Sequence, residues 1–206
     1  MTVELLLFDL GNVIVRVSHA AMAEALAARS TEAEFRDPRR LLALAFDDRD
    51  GLTVGFDEGR LTADAFYRAA VERLALSLSF KEFADCWNAG FEENREVTAL
   101  IRRLQGRYRL MLLSNTNELH YRHLEPQLPV LSLMERKILS YEVGMRKPSR
   151  AIYDRAISLA GVRPEQIVYI DDVAAYTQAA AQLGIQAITF ESAEQLESAL
   201  RVRGVV

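Results

Sequence analysis

The chain has 206 residues, 50% of them hydrophobic and 26% charged, with a formal net charge of −4. This balance excludes a disordered or collagen-like chain and fits one globular unit that can bury a sizeable core. The lack of a basic surplus argues against nucleic acid as the main partner.

One cysteine, Cys86, excludes an internal disulfide and a four-thiolate zinc site; it is expected as a small buried hydrophobe. The start, Met1-Thr2-Val3-Glu4, has no positive segment, and Asp9 interrupts the apolar run of residues 5–17. Neither a secretory signal nor a membrane span is expected there, and the expected setting is the cytoplasm.

Leu5-Leu6-Leu7-Phe8 is a short continuous apolar run, as a strand buried on both faces of a parallel sheet requires. Asp9 ends it, and Gly11-Asn12 read as turn residues. Residues 18–104 then carry apolar side chains at helical spacing, among them Met22 and Leu26, Phe66 and Ala70, Phe83 and Trp87. Thr62 is an expected N-cap, and Ser79 to Glu82 has the capping-box spacing, so a helix is predicted from about 80. Asp50-Gly51 and the stretch Gly55 to Gly59 read as turns. About four helices are expected here, followed by a fifth at 95–105.

After residue 107 strands and helices alternate. Strands are predicted at 108–113, 137–141, 167–170 and 185–190, and helices at 117–124, 149–160, 174–183 and 191–202; Pro126 and Pro129 mark a loop. Alternation of this kind implies a doubly wound, Rossmann-like parallel sheet of the α/β class. The helical block becomes an insertion: a cap of residues 18–92 on a core of residues 1–17 and 93–206.

Polar residues end three of the strands: Asp9, Ser114-Asn115 and Asp171-Asp172. A fourth segment, Gly144-Met145-Arg146-Lys147-Pro148, precedes a helix. If the strands are neighbours, these groups converge at the carboxyl edge of the sheet, where open parallel sheets bind ligands. Crowded carboxylates need a cation, and oxygen ligands of this type suit Mg²⁺. A lysine and a hydroxyl beside such a metal form a phosphate site. Each element alone has an ordinary reading: an aspartate or Ser114 as a helix cap, Lys147 as a surface charge. Yet 22 of the 25 cationic side chains are arginine, and a compact ammonium suits a position between a carboxylate and a phosphoryl oxygen.

The stretches Phe8-Asp9-Leu10-Gly11-Asn12-Val13-Ile14, Leu112-Leu113-Ser114-Asn115-Thr116-Asn117, Gly144 to Pro148 and Ile170-Asp171-Asp172, in this order, resemble the haloacid dehalogenase superfamily. The segment from Leu78 to Phe91, with Trp87, is similar to the helical cap of the branch that contains the bacterial alpha-D-glucose-1-phosphate phosphatase. The resemblance implies an Mg²⁺-dependent phosphatase acting on a small phosphorylated substrate. It implies Asp9 as a nucleophile that becomes an aspartyl phosphate, and Mg²⁺ held by Asp9, the Gly11 carbonyl, Asp172 and, through water, Asp171. Ser114, the Asn115 amide and Lys147 would hold the phosphoryl oxygens, with Lys147 also paired to Asp9.

Two positions depart from the family pattern. Gly11 stands where most of these phosphatases carry a second aspartate that protonates the leaving group, and Tyr176 stands where relatives often have asparagine. The missing acid keeps open a protein that binds a phosphorylated ligand or a partner without efficient turnover. A metal-free 2-haloacid dehalogenase also lacks the second aspartate, but Asp171-Asp172 argue against it, because carboxylates near Asp9 need a cation. His120 and His123, three apart on a predicted helix, are expected to be exposed rather than a zinc pair. His19 lies where the chain enters the cap and is a candidate substitute acid; Arg16 and Arg146 are candidates for meeting substrate.

Overall fold

The computed structural model describes residues 2–45 and 52–206. Its elements are β1 (Leu5–Phe8), β2 (Val15–Val17), α1 (His19–Ala27), α2 (Pro38–Ala45), α3 (Leu52–Asp57), α4 (Ala63–Arg73), α5 (Phe80–Trp87) and β3 (Phe91–Glu93). They continue with α6 (Arg95–Leu104), β4 (Arg109–Ser114), α7 (Glu118–Leu124), β5 (Arg136–Leu139), α8 (Ser140–Val143) and α9 (Arg150–Ala160). The last four are β6 (Ile167–Asp171), α10 (Ala174–Ala181), β7 (Gln186–Thr189) and α11 (Ala193–Val202).

The large sheet has the order β5-β4-β1-β6-β7 and every pair is parallel. β1 is central, with Phe8 beside Leu112 of β4 on one side and Ile170 of β6 on the other. That register brings Asp9, Ser114 and Asp171 side by side at one edge, although they are distant in sequence.

The apolar run of β1 is buried on both faces. Leu6 and Phe8 pack with Val97, Ile101 and Leu104 of α6 and Leu196 and Leu200 of α11. Leu5 and Leu7 pack on the other face with Ile152, Tyr153 and Ala156 of α9. The period of two thus divides one strand between two helical layers.

The insertion has its own core. Phe56, Phe66, Phe83 and Trp87 form an aromatic cluster, with Phe56 stacked on Phe66 at 4.3 Å and Trp87 edge-on to Phe66 at 4.9 Å. Burial of each such ring stabilises by about 1.5–3 kcal/mol. The Thr62 cap and the Ser79–Glu82 capping box form as expected.

Several expectations need correction. The insertion holds five α-helices among the described residues rather than four. Gly55 lies inside α3 and only Gly59 turns; Asp50-Gly51 lie outside the described residues. The strand predicted at 137–141 ends at Leu139, where Ser140 begins a helical turn. Pro126 and Pro129 sit in short 3-10 turns instead of an open loop. Cys86 is partly exposed. No helix among the described residues is long and apolar enough to cross a membrane.

The antiparallel pair β2–β3 was not expected at all. It joins the insertion to the sheet, with Arg16 opposite Glu92 and Val17 opposite Phe91. Gly90 lets the two chains meet: Ser18 N–H donates to the Gly90 carbonyl at 2.7 Å, and a Cβ at Gly90 would lie 2.2 Å from the Ser18 carbonyl oxygen. Gly59, at φ 67°, makes a second close approach, since a Cβ there would lie 2.1 Å from the Tyr141 carbonyl oxygen. Glycine is required at both contacts.

Candidate active site

A cleft of about 370 Å³ lies between the carboxyl edge of the sheet and the insertion. Asp9, Gly11, Ser114, Asn115, Lys147 and Asp172 line it. Lys147 is buried at its centre, which excludes the surface-charge reading. Its Nζ donates to Asp9 Oδ1 at 2.8 Å, to Asp171 Oδ2 at 2.6 Å and to the Leu113 carbonyl at 3.2 Å. Three donors on one ammonium are therefore matched by three acceptors. Burial opposes the charge on Lys147, but Asp9 and Asp171 outweigh it and raise its pKa.

The carboxylates differ in what surrounds them. Asp171 is fully buried; Lys147 and the Tyr169 hydroxyl donate to its Oδ2, and the Val173 N–H donates to Oδ1 at 2.8 Å. It is not the N-cap of α10, a position held by Val173. Asp172 is half-buried and accepts from Asn12 Nδ2 at 3.0 Å. Burial raises its pKa, with Asp171 adding to the shift and the Asn12 hydrogen bond opposing it. Burial also pushes the Asp9 carboxyl up to about 7; Lys147 pulls against this and Asp171 reinforces it.

One oxygen from each of Asp9, Asp171 and Asp172 lies within 4.8 Å of the others. Three carboxylates facing one ammonium leave an excess of negative charge, and hard oxygen donors so grouped fit a divalent cation such as Mg²⁺. With both Asp171 oxygens engaged by the protein, Asp9 and Asp172 are the better placed for direct ligation.

Ser114 ends β4, is buried and lines the cleft; the cap of the next helix is Asn117, whose side chain accepts from the His120 N–H. The Asn115 carboxamide holds the Lys147 backbone, donating to its carbonyl at 3.0 Å and accepting from its N–H at 2.8 Å. Tyr176, which departs from the family pattern, meets Asn115 Nδ2 at 3.4 Å, and its ring lies 5.2 Å from Lys147 Nζ.

Other contributors were not anticipated. Asn12 takes φ 54°, a conformation asparagine tolerates, and its Oδ1 accepts from the Val17 N–H at 3.1 Å. Ser140 accepts from the Thr116 N–H and donates to the Thr116 carbonyl, pinning the loop after β4. Tyr169 lies two residues before Asp171 on β6, and strand alternation was the available signal for it. Asp57 of α3 accepts from Asn117 Nδ2 at 3.0 Å and lies 3.9 Å from Arg146 Nη2.

Arg16 pairs with Glu92 in solvent, away from this lining. His19 is exposed at the start of α1 and lines the mouth. His120 corrects the expectation of exposure: it is buried between Trp87 and Phe91. Burial, with the charges of His19 and His123, lowers its pKa to about 3.

The model of the haloacid dehalogenase-like hydrolases matches residues 3–184. The chain belongs to this family. A curated relative, the D-ribitol-5-phosphate phosphatase of Bacteroides thetaiotaomicron, is 25% identical over 205 residues, which is 96% of each protein. A haloacid dehalogenase family enzyme from Bacteroides thetaiotaomicron, solved in complex with magnesium and inorganic phosphate, matches with a TM-score of 0.81 and 25% identity. The match covers 92% of this chain and 95% of that one. A predicted family hydrolase of Porphyromonas gingivalis shares the fold, with a TM-score of 0.83 at 23% identity over 98% of both chains.

Proposed function

We propose that this haloacid dehalogenase-like hydrolase is a Mg²⁺-dependent phosphoric monoester hydrolase that carries the phosphoryl group on Asp9. The observation that supports this most is Lys147 held between Asp9 and Asp171, with the Asp172 carboxylate in the same cluster. Family membership and the curated phosphatase relative support it independently.

Asp9 attacks phosphorus with one carboxylate oxygen, and the bond to the leaving oxygen breaks. Water then attacks the same phosphorus, the aspartyl–phosphate bond breaks, and the Asp9 carboxylate and inorganic phosphate are regenerated. Lys147 orients Asp9 and offsets phosphoryl charge, while the Ser114 hydroxyl and the Asn115 main-chain N–H hold phosphoryl oxygens. Asp9, Asp172 and the Gly11 carbonyl, with Asp171 in support, would hold Mg²⁺, which would supply positive charge to offset the repulsion between the carboxylate and the phosphate. Residues 18–92 act as a cap that excludes water from the core formed by residues 1–17 and 93–206.

The substrate is a small phosphorylated metabolite of the cytoplasm. Gly11 offers no carboxyl group to protonate the leaving oxygen, which favours an ester whose leaving group is already a stable anion. A sugar 1-phosphate, leaving as a hemiacetal oxyanion, meets that requirement better than a primary alkyl ester. The named activity of the curated relative favours a second reading, a terminal alditol phosphate.

The test is phosphate release from p-nitrophenyl phosphate with Mg²⁺ and with chelator, beside halide release from 2-chloropropionate. Mg²⁺-dependent phosphate release alone is expected. Release undiminished by chelator, or halide release in its place, contradicts the reading.

A further inference from the structure

Tyr169 and Asp171 are two residues apart on β6, so both side chains leave the same face of the strand. The Tyr169 phenol is fully buried, in one cluster with Leu5, Leu7, Ile152 and Tyr153. Its ring meets that of Tyr153 edge-on at 5.9 Å between centroids, and its hydroxyl donates to Asp171 Oδ2. Burial, with Asp171 and Asp9 adding to it, raises the Tyr169 pKa well above the usual phenol value, so the hydroxyl keeps the proton it donates.

Asp9 and Asp172 line the cleft, whereas Asp171 has no exposed surface. Three donors hold Asp171: the Val173 N–H on Oδ1, and Lys147 Nζ and the Tyr169 hydroxyl on Oδ2. The Val173 donor is main chain and needs no particular side chain. Lys147 is shared with Asp9. The Tyr169 hydroxyl is the contribution that rests on one side-chain atom, since phenylalanine would fill the same strand position and leave it out.

We propose that Tyr169 is a positioning residue that sets the choice of cation: by holding Asp171 to the buried side, it leaves two carboxylates, Asp9 and Asp172, for the metal and so favours Mg²⁺ over Ca²⁺. The inference rests on the reading above that this cluster holds Mg²⁺.

The two cations differ in what they ask of a site. Mg²⁺ keeps several of its waters and takes one or two carboxylates, whereas the larger Ca²⁺ takes more oxygens and accepts a third carboxylate readily. A hydrogen bond donated to Asp171 Oδ2 also weakens the pull of that oxygen on any cation nearby. Removing the hydroxyl therefore adds ligand capacity to the site, and Ca²⁺ gains more from it than Mg²⁺.

The experiment titrates chelator-stripped wild type and Tyr169→Phe with Mg²⁺ alone and with Ca²⁺ alone, each with and without inorganic phosphate, by calorimetry. In the variant the Kd for Ca²⁺ is expected to fall about fivefold or more, and that for Mg²⁺ to change by about twofold at most. Damage to the site by a merely structural substitution would weaken both cations and could not produce that gain.

A Ca²⁺ to Mg²⁺ ratio of Kd that is the same in variant and wild type, or a weaker hold on Ca²⁺ in the variant, overturns the inference and leaves the phosphatase reading intact. A crystal structure of the wild type with Mn²⁺ tests the same claim even if the variant fails to fold. Asp171 is expected off the metal and bonded to Tyr169, and Asp171 as a direct ligand overturns the inference. Wild type that binds neither Mg²⁺ nor Ca²⁺, with or without phosphate, overturns this inference and the Mg²⁺ reading together.

Discussion

Asn115 and Lys147 are joined by two hydrogen bonds that run in opposite directions: the Lys147 N–H donates to Asn115 Oδ1 at 2.8 Å, and Asn115 Nδ2 donates to the Lys147 carbonyl at 3.0 Å. One carboxamide thereby fixes the backbone from which the buried ammonium reaches Asp9. Asn115→Ala is expected to cost about 1–3 kcal/mol of stability and, through a displaced Lys147, to lower kcat on an aryl phosphate by roughly 100-fold. Urea denaturation and steady-state kinetics measure the two effects. Unaltered kcat would show that Lys147 is positioned by other contacts.

Removing the ammonium itself is more severe. Lys147→Met leaves Asp9 and Asp171 buried without their cation, and breaking such a pair costs about 3–5 kcal/mol. Denaturation in chelator is expected to show this loss, and Mg²⁺ to restore part of it by binding the folded state. Equal stability of variant and wild type in chelator contradicts the arrangement.

His120 gives the protein an acid-side weakness. Its folded pKa, about 3, lies below the ordinary histidine value of 6.5, so the unfolded chain binds a proton that the folded chain refuses. Stability contributed in this way is present above pH 6.5 and is lost as pH falls toward 3. The slope approaches about 1.4 kcal/mol per pH unit. Asp9, with its pKa raised to about 7, works with the opposite sign. The wild type minus His120→Phe difference, measured by urea denaturation between pH 7 and 5, cancels that contribution. The difference is expected to shrink or reverse as pH falls; a constant difference would mean that His120 titrates normally.

Gly11 sets the expected leaving-group dependence. Without a positioned acid, kcat/KM across aryl and alkyl monoesters should depend steeply on leaving-group acidity. General acid catalysis is worth roughly 10²–10⁴-fold on poor leaving groups. A Cβ at Gly11 meets only Val17 Cγ2, at 3.6 Å, so an aspartate can be placed there. Gly11→Asp is expected to flatten the dependence. A flat dependence in the wild type would show that another group already supplies the proton.

The sheet and most of the site were legible because their signals are local. Leu5 to Phe8 read as a doubly buried strand, and the polar residues that end β1, β4 and β6 marked the sheet edge at which the candidate site gathers. Features created by contact between distant segments left little local trace. β2 and β3 are three residues each, and the bonds between Arg16 and Glu92 or Ser18 and Gly90 exist only after the insertion has folded. The periodicity of α7 cannot reveal that Trp87 covers His120. Asn12 read as a turn residue because its partner, Asp172, comes from the other end of the chain.

The central claim, that Asp9 carries the phosphoryl group, is tested most directly by acid quench of a single turnover with ³²P-labelled substrate and Mg²⁺. Wild-type chain is expected to retain label that hydroxylamine releases, as an acyl phosphate requires. Asp9→Asn is expected to retain none and to release no phosphate. Turnover that survives Asp9→Asn, or label bound to another residue, would contradict the account.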